Sequence, residues 1–172
     1  TTFIVYTPAI PSSHKGYNYF KDNGFNIVKR SELLGLITDV LFTIGVAGTH
    51  GKTTTSSIIT HVLDNSGFPV NAFLGGISSN LNSNFLINEK AETVVVEADE
   101  YDRSFLTLAP NIAIVTSMDA DHLDVYGEHS YLTESFEKYV AKLSSDGVLI
   151  KRKGLSVEHN NTIEYAVNEK AD

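Results

Sequence analysis

Apolar positions in this chain fall into short, β-branched runs separated by stretches of helical period. Thr93-Val94-Val95-Val96 and Ile112-Ala113-Ile114-Val115-Thr116 are continuous rather than alternating, as strands of a parallel sheet covered on both faces require. Thr43-Ile44-Gly45-Val46-Ala47 reads the same way, and Val70 to Leu74 and Val148 to Ile150 are shorter runs of the same kind. Ser130 to Leu143 places Leu132, Phe136, Tyr139, Val140 and Leu143 at helical spacing, with Glu134 and Glu137 outward. Thr55 to Leu63 predicts a second helix in this part of the chain, and Thr162 to Val167 one more strand. Gly75-Gly76 is expected to stop the strand at Leu74, and the polar stretch Ser78 to Asn84 to be a loop. Strands alternating with helices predict an α/β protein with a mainly parallel sheet flanked by helices.

Residues 1–42 form a smaller unit of the same grammar. Phe3 to Tyr6 predicts a strand, halted by Thr7-Pro8-Ala9-Ile10-Pro11. Tyr17 to Asn23 predicts a helix closed by Gly24, and Phe25 to Val28 a second strand. Ser31-Glu32-Leu33-Leu34 starts a short helix expected to end near Gly35. This partial βαβ-like piece is too small to be a domain on its own. The expected division is therefore 1–42 and 43–172. The chain opens at Thr1, without a Met and inside a strand-like run, so it is expected to be an excerpt from a longer protein.

Composition narrows the function. With 172 residues, 42% of them hydrophobic, the chain can bury a core. Thirteen basic against 21 acidic residues give a net charge of −8, which argues against nucleic acid as a partner. The basic triplet Lys151-Arg152-Lys153 is expected to be a solvated turn. There are no cysteines, hence no disulfide and no thiolate metal site, which fits a reducing compartment such as the cytoplasm. No apolar run approaches the ~18 residues of a membrane span, and no signal-peptide pattern is present.

Against that acidic background one stretch stands out. Gly48-Thr49-His50-Gly51-Lys52-Thr53-Thr54 lies between a predicted strand and a predicted helix. The two glycines let successive N–H groups curl inward, and the helix N-terminus adds partial positive charge. Lys52 is placed to reach terminal phosphates, and the Thr53 hydroxyl to ligate Mg²⁺. The strict P-loop pattern asks for a glycine where Val46 stands, with Gly45 one place too early. A shortened cradle that keeps Gly-Lys-Thr is the reading. His50 either touches phosphate or shapes the turn.

Two further clusters follow predicted strands, where open parallel sheets bind ligands. Glu97-Ala98-Asp99-Glu100-Tyr101-Asp102-Arg103 is the first. Glu97 directly ends its strand and is the candidate metal carboxylate, with Asp99 two residues on. The bland alternative is a solvated acidic loop. Asp119-Ala120-Asp121-His122-Leu123-Asp124 is the second. Mg²⁺ prefers oxygen ligands, so His122 reads either as a site for Mn²⁺ or as a phosphate-facing group.

Taken together, Ala47 to Thr55, Glu97-Ala98-Asp99-Glu100-Tyr101-Asp102 and Asp121-His122-Leu123-Asp124 resemble the Mur ligases, in their order and spacing. Thr7-Pro8-Ala9-Ile10-Pro11 and Lys29-Arg30-Ser31-Glu32 are similar to the branch that joins L-alanine to UDP-N-acetylmuramate. The resemblance covers nearly all of residues 1–145. It implies that 1–42 is the end of a Rossmann-like UDP-binding domain and 43–172 most of a central, P-loop-type ATPase domain. It further implies ATP and Mg²⁺ as cofactors, with Lys52 on the γ-phosphate, Thr53 and Glu97 on one Mg²⁺, and His122 on a second. The implied reaction is amide formation through an acyl phosphate, a cytoplasmic step in peptidoglycan precursor synthesis. A ligase that recycles murein tripeptide is the alternative within the family. A nucleotide-binding module that ligates nothing is the alternative outside it. The fragment by itself is expected to be inactive, because the domains of this family close around their substrates.

Overall fold

The computed structural model describes residues 2–101, 103–119 and 129–166. The first unit holds β1 (Ile4–Tyr6), α1 (Lys15–Asp22), β2 (Ile27–Lys29) and α2 (Arg30–Thr38). β1 and β2 pair in parallel as a two-stranded sheet. The second unit holds β3 (Phe42–Ala47), α3 (Lys52–Asn65), β4 (Val70–Ser78), β5 (Ser83–Leu86) and β6 (Thr93–Glu97). It continues through a 3₁₀ turn (Ser104–Thr107), β7 (Ile112–Val115), α4 (His129–Val140), β8 (Val148–Arg152) and β9 (Thr162–Tyr165).

These last seven strands form one sheet in the order β5-β4-β6-β3-β7-β8-β9. All its pairings are parallel except β4 with β5. The predicted α/β architecture with a mainly parallel sheet is what the chain adopts. The unbroken apolar runs have a direct cause. In β6, Val94 and Val96 face the core cluster that contains Leu132, Phe136 and Tyr139 of α4. Val95, between them, faces the opposite cluster with Val70, Ala72 and Leu74, against Ile59 and Leu63 of α3. Both faces of β6 are covered, so its run leaves no position for a polar alternation.

Four local expectations are corrected. First, α2 does not end near Gly35 but runs to Thr38. Gly35 is buried inside the helix because a Cβ there would come closer than 3.0 Å to the Thr107 carbonyl oxygen. The missing side chain lets α2 lie against the 3₁₀ turn, where the Thr107 hydroxyl donates to the Ser31 carbonyl at 2.9 Å. Second, β4 passes through Gly75-Gly76 to Ser78. Third, Ser83 and Asn84, expected to close a loop, instead open the edge strand Ser83–Leu86, paired antiparallel to β4 across an irregular register. Backbone pairing at a solvated edge does not need apolar side chains, so the Ser- and Asn-rich run concealed it. Fourth, the basic triplet is only in part a solvated turn: Arg152 and Lys153 are exposed, and Lys151 is not. Lys151 is only 2% exposed and lies in β8. Its ammonium donates to the carbonyls of Leu155 (3.0 Å) and Val157 (2.9 Å) and pairs with Glu158 (2.7 Å) and Glu164 (3.3 Å).

One contact places the site. Tyr139 of α4 is fully buried, and its hydroxyl has no hydrogen-bond partner among the described residues. It presses on Gly45 in the central strand β3, where a Cβ would meet the hydroxyl closer than 3.0 Å. Gly45 is therefore not a displaced member of the phosphate cradle. It is the notch that admits Tyr139. Phe105 stacks on Tyr139 at 5.1 Å and meets Phe136 edge-on at 5.5 Å, which ties the acidic loop after β6 to α4.

Candidate functional site

The turn after β3 is shaped by two glycines with positive φ, 135° at Gly48 and 83° at Gly51. Gly48 has no room for a side chain, since a Cβ would lie 2.9 Å from the Ser117 amide nitrogen. Gly51 is the N-cap of α3, and no side chain caps the first turn of that helix. Its first N–H groups and the positive end of its dipole are thus directed into the loop, an arrangement suited to phosphate.

Lys52 folds back over this turn. Its ammonium donates to the Gly48 carbonyl at 2.7 Å and lies 3.0 and 2.9 Å from the two carboxylate oxygens of Glu100. The Glu100 side chain is fully buried, and that of Lys52 is 12% exposed. A cation held at the mouth of an uncapped helix, with a carboxylate as its internal partner, is poised for a competing anion.

The residues after β7 clasp the same loop. The Ser117 hydroxyl accepts from the His50 amide at 2.8 Å and shares a hydrogen bond with the Thr49 hydroxyl at 2.9 Å. The Ser117 carbonyl accepts from the Thr49 amide at 3.1 Å. The Thr116 hydroxyl donates to the His50 carbonyl, and the Asp119 amide donates to the Thr49 hydroxyl at 3.1 Å. The amides of Thr49 and His50 are engaged by this clasp, while the His50 side chain is exposed. Of the two roles open to His50 in the sequence, its backbone shapes the turn.

Glu97 closes β6, beside the middle of β4. Its Oε2 accepts from the Gly75 amide at 2.7 Å. One residue on, a Cβ at Gly76 would lie 3.5 Å from the Thr53 side chain. Gly75 thus lies against the Glu97 carboxylate, and Gly76 against the Thr53 methyl group. A cavity of about 170 Å³ opens beside Glu97, lined by Arg30 and Leu34 of α2, Gly75, Asp99 and Ser104. Asp99 turns its carboxylate back to the Tyr101 amide at 3.2 Å, so it shapes the loop rather than extending the strand.

The structure brings together Gly48, Thr49, His50, Gly51, Lys52, Thr53, Thr54 and Glu97 at the carboxyl ends of β3 and β6. Asp121, His122 and Asp124, like Asp102, lie outside the described residues. Among the described residues, no three acidic or imidazole groups converge on a common point. Sequence reasoning missed Glu100, Thr116, Ser117 and Gly75. Glu100 sits inside the acidic run with no spacing signal of its own. Ser117 follows an apolar strand and looks like any loop serine.

Residues 46–171 match the sequence model of the Mur ligase middle domain. A UDP-N-acetylmuramate–L-alanine ligase from Christiangramia forsetii is 52% identical over 171 residues, 99% of this chain and 37% of that protein. The chain thus spans little more than a third of that curated relative. Its fold is similar to that of a UDP-N-acetylmuramate:L-alanyl-gamma-D-glutamyl-meso-diaminopimelate ligase from Neisseria meningitides, with a TM-score of 0.80 at 21% identity over 93% of this chain and 57% of the other. It is similar also to a UDP-N-acetylmuramate-alanine ligase from Thermotoga maritima, with a TM-score of 0.79 at 24% identity over 97% of this chain and 39% of the other. The family match extends over well more than half of the sequence, and this chain belongs to the Mur ligase family.

Proposed function

We propose that the chain is the ATP-binding part of a ligase that joins L-alanine to the lactyl carboxylate of UDP-N-acetylmuramate. The carrying observation is Lys52, held across the uncapped start of α3 beside the strand that ends in Glu97. The name of the 52% identical relative supports the choice of substrates. On this reading residues 1–42 close a UDP-binding domain, and 43–172 make up most of the central ATPase domain.

In the first step a lactyl oxygen bonds to the γ-phosphorus, and the bond to the β,γ-bridging oxygen breaks. ADP leaves with that electron pair, and an acyl phosphate remains. The amine of L-alanine then attacks the acyl carbon and loses a proton. Inorganic phosphate leaves with the C–O electron pair, and the amide is formed. The first-turn amides of α3 hold the phosphates, and Lys52 neutralises charge on the transferred group. Thr53 and Glu97 are oxygen donors of the kind Mg²⁺ takes, and both lie along Gly75-Gly76. When bound there, Mg²⁺ supplies further neutralisation of phosphate charge. His122 is assigned to a second ion by resemblance alone.

The test is ADP release by the full-length enzyme given ATP, Mg²⁺ and UDP-N-acetylmuramate, with either L-alanine or murein tripeptide. Release with L-alanine is the expected result and marks a cytoplasmic step of peptidoglycan precursor synthesis. Release with tripeptide alone moves the enzyme to recycling. Release with neither leaves a nucleotide-binding module.

A further inference from the structure

Gly75 stands in mid-strand, where glycine is a poor choice. Its φ is not in the left-handed region, so the backbone does not demand it. The residue is exposed, so no packed core excludes a side chain. What excludes one is Glu97. A Cβ built on Gly75 falls closer than 3.0 Å to both carboxylate oxygens and to Cδ of Glu97, and these are the three atoms nearest to it. The Gly75 amide meanwhile donates to Oε2 at 2.7 Å. The position combines a vacancy shaped for the carboxylate with a donor that fixes its direction.

We infer that Gly75 is a positioning residue that seats the Glu97 carboxylate for a divalent cation. The inference rests on the proposed assignment of Glu97 to that ion. Residues that orient a metal ligand through a hydrogen bond matter nearly as much as the ligand itself. Alanine at this exposed strand position must first displace that carboxylate, since its three nearest atoms all belong to Glu97.

The experiment compares wild type, Gly75→Ala, Glu97→Gln and the double variant in the full-length enzyme. Mn²⁺ affinity is read by electron paramagnetic resonance with ATP present, and thermal stability is read alongside. Gly75→Ala is expected to weaken Mn²⁺ binding about 10- to 100-fold with an unchanged unfolding temperature. The double variant is expected to bind Mn²⁺ no more weakly than Glu97→Gln alone. Weaker Mn²⁺ binding in Glu97→Gln with none in Gly75→Ala overturns the role of Gly75 and leaves that of Glu97 standing. No change in either variant overturns both. Additive losses, or a lowered unfolding temperature in Gly75→Ala, make Gly75 a structural residue and overturn the inference.

Discussion

The contact between Gly45 and Tyr139 permits a sharp test of how the central strand is held. Gly45→Ala drives a methyl group into the Tyr139 hydroxyl, inside the 3.0 Å that carbon atoms do not enter. Tyr139 is fully buried among Phe105, Phe136 and Leu132 and has little space to retreat. Overpacking of this kind costs about 2 kcal/mol, or roughly 4–8 °C in Tm for a protein of this size. Tyr139→Phe removes the obstacle. It also removes a buried hydroxyl that lacks a hydrogen-bond partner among the described residues, so alone it is neutral or stabilising by about 1 kcal/mol. With the hydroxyl gone, the nearest atoms to the new methyl are Tyr139 Cζ at 3.4 Å and Pro110 Cβ at 3.5 Å, ordinary contacts. The double variant should therefore return to within about 1 kcal/mol of wild type, a coupling of roughly 2 kcal/mol. Thermal unfolding of the four proteins measures the cycle. A double variant as unstable as Gly45→Ala refutes the reasoning, because the clash would then lie with something other than the hydroxyl.

Other outcomes follow from the site. Lys52→Ala in the full-length enzyme should lower turnover by about 10³-fold, measured as ADP release; near-normal turnover would sink the assignment of the loop. Glu100→Ala removes the buried partner of Lys52 and should cost about 3 kcal/mol of stability. Pairing Lys52→Met with Glu100→Leu should recover most of that loss in thermal unfolding without recovering ATP binding by calorimetry. Burial pulls the Lys151 pKa down, but hydrogen bonds and charge from Glu158 and Glu164 outweigh it and hold it above the ordinary 10.5. A cation stabilised in this way contributes fully below pH 10.5, and the contribution fades as pH rises through the higher folded value. Alkaline unfolding of Lys151→Met should accordingly be less steep than that of wild type, and identical curves would argue that Lys151 contributes nothing by its charge.

The parts legible in the sequence were those in which composition and period agree. Thr93 to Val96 and Ile112 to Thr116 announced buried parallel strands, and Gly48 to Thr54 announced a loop at a helix start. Gly24 closes α1 as expected, but three other glycines outside the loop were misread for one shared reason. Glycine signals a missing side chain, and the sequence does not say what fills the gap. At Gly35 it is a carbonyl of the 3₁₀ turn, at Gly45 a tyrosine hydroxyl, and at Gly75 a carboxylate. Each of those partners is distant in sequence, so local pattern reads the residue as a stop. Glu100 was hidden for a similar reason. An acidic run reads as solvated, and only the fold reveals that one of its members is fully buried against Lys52.

The clasp on the phosphate loop also sets an order of events in folding. His50 and Ser117 are 67 residues apart, so their hydrogen bond closes a long stretch of chain. Contacts of such separation form late, after the intervening strands have paired. During synthesis, a chain halted before Thr116 carries the whole Gly-Thr-His-Gly-Lys-Thr signature and none of the bonds by which Thr116, Ser117 and Asp119 clasp it. The finished shape of the loop is then a property acquired at the docking of β7, and it can serve as a clock for that docking.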